Sequence, residues 1–144
     1  MILQDFLTTI KSRGAKFAAP ATPGQISITN TALQSIRAAM LPQFMSTLYS
    51  KTGAINLDSG YIFGPNEIGR GNTYPIPSII SINQDTSNIA TLRGKTIFGR
   101  NDLFWFAFDA FGTCYMLDNT TLATLRKYDH PYRALADCLI SGKI

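Results

Sequence analysis

Leu103–Asp118, LFWFAFDAFGTCYMLD, reads as a strand, a tight turn and a second strand. Five aromatic rings precede Gly112, and Tyr115 follows it. Side chains alternate along a strand, so Phe104, Phe106 and Phe108 share one face, and Trp105, Ala107 and Asp109 share the other. Gly112 suits the positive φ that the turn Ala110-Phe111-Gly112 requires. In the return strand Cys114, Met116 and Asp118 oppose Thr113, Tyr115 and Leu117. The phenylalanine face is fit to pack beneath helices. The face that holds Trp105 and Tyr115, with Tyr74 near it, then has no internal task. Large rings on an open sheet face are what binding hot spots are built from.

Upstream of this hairpin the pattern is helical. Ile2, Leu3, Phe6, Leu7 and Ile10 form one stripe, Lys11 and Arg13 fall in the last turn, and Gly14 suits the position after it. AKFAAPATPGQISIT reads as a surface connector anchored by Phe17 and Ile26. A second helix is expected from a cap at Thr29 or Asn30 to Met40, and a kink or new start at Leu41-Pro42. Phe44, Met45, Leu48 and Tyr49 form the buried face of the helix that follows, and Gly53 ends it. From residue 54 glycines and short runs such as YIF take over. Ser78–Asn83 is read as extended, with an ambiguous register, TSNIATLRG as a loop or short strand, and KTIFGRND as a strand. After the hairpin, TTLATLRKY is a short helix or strand. PYRALADCLISG is a helix capped by Asp129 or His130, with Pro131 in its first turn, Gly142 past its end, and Tyr132, Leu135, Ala136 and Leu139 toward the core. Helices, then a run of strands joined by short turns, then a helix predict an α+β domain with an antiparallel or meandering sheet.

The 144 residues fit one domain, 1–144, in which 1–25 are an N-terminal helix and connector. Charged residues are 15% of the chain, well below the roughly 25% of an average domain, which leaves room for an exposed apolar or aromatic patch. The net charge of +4 comes from basic residues scattered singly, with Arg126-Lys127 the one adjacent pair. That is not the clustered stripe of a nucleic-acid binder, but it suits an acidic protein partner. No apolar run approaches the ~20 residues of a membrane span, and the N-terminal stripe lacks the basic start of a signal peptide, so a cytoplasmic protein is expected. Cys114 and Cys138 sit in apolar runs and read as buried free thiols; a disulfide would need an oxidising compartment.

Catalytic and metal chemistry find little support. The single histidine, His130, stands at a helix cap, and neither GxSxG nor HExxH occurs. One histidine and two distant cysteines do not make a usual zinc site. A magnesium site from Asp102, Asp109 and Asp118 is weaker than the ordinary use of aspartate at turns. Glu67 is the only glutamate, which excludes a paired-glutamate glycosidase. FGPNEIGRGN lacks both phosphate-loop spacings. No catalytic residue, metal or cofactor is predicted.

Several segments resemble the SUKH superfamily, in particular its YrhA-type bacterial branch. These are AMLPQFMSTLYSKTG, IPSIISIN, TIFGRNDLFWFAFDAFGTCYMLD, with Gly99, Asp102, Asp109, Gly112 and Asp118 at the marked positions, and the closing YDHPYRALADCLISGKI. The resemblance spans about residues 25–144 and departs from the family at Thr52-Gly53, where members often carry Asn-Gly. It implies a curved, mainly antiparallel sheet flanked by N- and C-terminal helices, with IPSIISIN as a central strand. It also implies an immunity protein that binds and neutralises a cognate antibacterial toxin, with a nuclease a reasonable target. A non-enzymatic regulatory scaffold is the alternative. Trp105, Tyr74 and Tyr115, with the carboxylates Asp58, Asp102 and Asp109, are the expected partner contacts; nucleic acid and membrane are not expected partners.

Overall fold

The computed structural model describes residues 3–65 and 76–140. The protein is α+β: a seven-stranded, open, antiparallel sheet with helices against it, among the described residues. The strands lie side by side in chain order, so the sheet is one long meander interrupted by two helical excursions.

Helix α1, Leu3–Ser12, buries Phe6 and Ile10 from its apolar stripe. Gly14, at φ +89°, closes it: its N–H donates to the Lys11 carbonyl and the next amide, Ala15, donates to Ile10. Strand β1, Lys16–Phe17, follows. Helix α2 runs over Pro23–Ser35, and its cap, Thr22, stands seven residues ahead of Thr29, the first of the two expected caps. Thr22 and Gln25 form a reciprocal capping box, and Pro23 occupies the first turn, so the connector's prolines include the start of the helix. Thr29 and Asn30 are therefore mid-helix; the Asn30 side chain accepts from the Leu41 amide. The helix stops short of Met40, because Arg37 turns left-handed at φ +61°. Phe17 is exposed rather than an anchor. The break at Pro42 occurs as expected, and α3, Gln43–Lys51, buries Met45, Leu48 and Tyr49.

Strands β2, Ile55–Leu57, and β3, Gly60–Ile62, form a hairpin whose turn holds Asp58 at φ +51°. The segment expected to be extended, Ser78–Asn83, is instead the start of helix α4, Ile79–Thr86, capped by the Ser78 hydroxyl. The central strand implied for IPSIISIN is thus absent. A Pro-Ser pair at a helix start outweighs three isoleucines of strand propensity. Asn83 explains how β4, Lys95–Arg100, manages without that neighbour along its first half. Its amide donates to the Ile97 carbonyl (2.9 Å) and its oxygen accepts from the Ile97 N–H (2.8 Å), all buried. A 3₁₀ turn at Ala90–Leu92 links α4 to β4.

Strands β5, Phe104–Asp109, β6, Cys114–Asp118, and β7, Thr124–Tyr128, complete the sheet, and helix α5, Pro131–Ile140, returns across it. Phe106 and Phe108 are fully buried and pack with Phe98 and Tyr128. Two strand positions are too crowded for a side chain, Gly60 by helix α5 and Gly99 by α5 together with the Tyr61 carbonyl of β3. A Cβ on Gly60 would stand 2.7 Å from the Cys138 carbonyl, and one on Gly99 would stand 2.9 Å from its sulfur. Both cysteines are free and buried. No helix among the described residues is long and apolar enough to cross a membrane.

Candidate partner-binding face

The sheet face turned away from α5 is assembled by cross-strand register. One row reads Tyr61, Arg100, Trp105, Leu117 across β3 to β6. The next reads Ile97, Ala107, Tyr115, Lys127 across β4 to β7, and the last pairs Lys95 with Asp109. Trp105 and Tyr115 therefore sit on one diagonal of a square whose other corners are Ala107 and Leu117. Large rings alternate with smaller side chains, and both smaller residues are fully buried. Cations roof the rings. The Arg100 guanidinium stands 4.4 Å from the centre of the Trp105 ring, and the Lys95 ammonium 5.1 Å from that of Tyr115. Such stacking contributes roughly 0.5–1 kcal/mol at an exposed site and leaves the charge open to a further partner.

Asp109 lies on this face but is already engaged. One carboxylate oxygen accepts from the Tyr115 hydroxyl (2.7 Å); the other accepts from the amides of Phe111 and Thr113 (2.9 and 3.0 Å). Partial burial pushes its pKa up. The hydrogen bonds from Tyr115, Thr113 and Phe111, with Lys95 nearby, outweigh that and hold it below the usual carboxylate range. The Tyr115 hydroxyl is raised in turn, first by donating to Asp109. Asp109 thus fixes the turn and orients Tyr115.

The other expected carboxylates lie elsewhere. Asp58, in the β2–β3 turn, and Asp102, in the β4–β5 turn, occupy one end of the sheet, because Tyr61 pairs with Arg100. Asp109 pairs with Lys95 at the opposite end. Asp118 caps its own turn, accepting from Thr120 and Thr121, which lowers its pKa. The aspartates do not converge, and the described residues contain no cluster suited to a metal ion. Tyr74 falls outside the described residues. His130 stacks loosely on Tyr132, with ring centres 6.0 Å apart. Burial pushes the Cys114 thiol up to about 12 and raises Cys138 as well, so neither is a ready nucleophile.

Three contributors to this face escape a reading of the sequence. Arg100 is one, because a β-bulge between Ile97 and Gly99 inserts Phe98 and reverses the side on which Arg100 emerges. Lys95 and Lys127 are the others; they are placed by pairing rather than by any motif. Phe111, at the tip of the β5–β6 turn, is 94% exposed, and its place in a tight turn was the only available signal. No family model and no curated protein matches this chain.

Proposed function

We propose that this protein is a cytoplasmic bacterial immunity protein, which neutralises a cognate toxin by stoichiometric, non-covalent blockade of the toxin's active site. The observation that carries this reading is the sheet face turned away from α5: a half-buried Trp105–Tyr115 diagonal under Arg100 and Lys95, with an exposed Phe111 at one end. Rigid aromatic side chains beside arginine are the composition of interface hot spots, and the ladder holds them in place before any partner arrives. The segments that resemble the SUKH superfamily support the immunity role.

The charge of the face bears on the target. It is cationic, so it would meet carboxylates on the toxin. A nuclease toxin fits this face through acidic, metal-holding residues and not through its phosphate-binding cations.

The test is co-expression of the neighbouring gene's product in a susceptible cell, with and without this protein. The expected result is rescue together with a one-to-one complex on co-purification. Trp105→Ala and Arg100→Glu should each weaken that complex by a factor of about 30 or more, the range of a hot-spot loss near 2 kcal/mol. Rescue that survives both substitutions would move the contact off this face. Absence of both rescue and complex would discard immunity and leave a regulatory scaffold as the working role.

A further inference from the structure

Strand β7 is the last of the sheet, and only Tyr128 of its five residues is buried. One edge pairs with β6. The other carries main-chain N–H and C=O groups that make no hydrogen bond with any described residue. Such an edge is a template for another strand. Beside it lies a groove of about 350 Å³ lined by Arg126, Lys127, His130, Arg133 and the rings of Tyr128 and Tyr132, with Asp129 its one carboxylate. The strand carries cations on both faces. Arg126 is in register with Met116 on the α5 side, and Lys127 with Tyr115 on the open side. Arg126 is held by Asp137 at 3.0 Å, whereas Lys127 has no ion-pair partner among the described residues.

We infer that β7 is a docking edge for an extended acidic segment of a partner protein, which adds to the sheet as a further strand. Main-chain pairing supplies affinity with little regard to sequence, and alternate side chains supply the choice. Acidic side chains would fall by turns on Lys127 and on the basic groove. The same charges reject the commonest wrong partner. A second copy of β7 would bring Arg126-Lys127 against Arg126-Lys127, and like charges across a ladder are unfavourable. The edge is closed to self-association and open to an acidic strand. Lys127 borders the aromatic face as well, but the main-chain edge of β7 is a separate contact and does not depend on the immunity reading.

The probe is a synthetic dodecapeptide of glutamate pairs separated by valine-threonine pairs, so that adjacent glutamates fall on opposite faces of the added strand. Its controls are a lysine-for-glutamate version and a version N-methylated at alternate amides. Binding to the intact protein is followed by amide exchange in NMR, which also reads weak complexes. The glutamate peptide is expected to bind and to protect amides within Thr124–Tyr128, and both controls to fail. Lys127→Glu, at an exposed position, should weaken the glutamate peptide about tenfold by exchanging a favourable cross-strand pair for an unfavourable one. Binding that survives N-methylation would reduce the site to a charged patch and overturn strand addition. Protection outside β7, or no binding, would overturn the proposal as well.

Discussion

The two faces of one sheet solve opposite problems. Toward α5, side chains are removed to let a helix approach: Gly60 and Gly99 leave no room for a methyl group, and Phe98, Phe106 and Phe108 fill the space beside them. Away from α5 the rings stand beside small or aliphatic residues and under cations. Trp105 and Tyr115 flank the buried Ala107 and Leu117, and Arg100 and Lys95 stack on the rings. Aromatic residues alternate along the same strand, yet one set is structural and the other available. The difference lies in what stands opposite each face, which the strand itself does not encode.

The sharpest way to break this comparison is to truncate one ring from each side. Phe106→Ala should cost about 4 kcal/mol, because it opens a cavity in a fully buried cluster. Trp105→Ala, from a half-buried site, should cost about 1 kcal/mol while removing a main partner contact. Urea unfolding of the two variants checks both. Equal losses would mean that the outer face is as much a core as the inner one. A second test works by addition. Gly99→Ala places a methyl group 2.8 Å from the Tyr61 carbonyl, a backbone atom of the neighbouring strand that cannot swing aside. A loss of about 2–3 kcal/mol is expected, against about 1 kcal/mol for Gly94→Ala, where the space is open and only a φ of +78° opposes the change. If the two glycine variants unfold alike, the crowding of position 99 by the Tyr61 carbonyl and the Cys138 sulfur is not what glycine serves there.

The faces also differ in how far they could be read in advance. Period-two alternation placed Phe106 and Phe108 together and Trp105 with Asp109, because β5 is regular. The same rule fails one strand away. In Lys95–Arg100, alternation alone sends Arg100 to the side opposite Lys95, and only the bulge at Phe98 brings both cations onto the outer face. A bulge reflects pairing with a neighbour, and no local propensity announces it. Ser78–Asn83 fails for a different reason: its isoleucines fit either structure, and the deciding groups were the Ser78 hydroxyl and the buried amide of Asn83. Aspartates were legible as turn formers, but not as a set, because the turns they close lie at opposite ends of the sheet.

Asp109 gives the finest test, since it belongs to the outer face by position and to the fold by its bonds. Its pKa is depressed in the folded protein. Its contribution to stability is therefore present above the unfolded value of about 3.9 and is lost as pH falls through the lower folded value. The thermal midpoint should drop on going from pH 7 to pH 3, and Asp109→Asn should reduce that drop, because the amide carries no charge to lose. The effect at pH 7 should be small, since the amide oxygen can still accept from the Phe111 and Thr113 amides while its NH2 donates to the Tyr115 hydroxyl oxygen. Tyr115→Phe separates the two duties of the carboxylate. If Asp109 mainly orients the ring, Tyr115→Phe should weaken partner binding and leave most of the acid sensitivity, because the bonds to Phe111 and Thr113 remain. If the acid sensitivity vanishes with the hydroxyl, the Tyr115 bond and not the turn sets the carboxylate's pKa, and this part of the outer face is held by side chains alone.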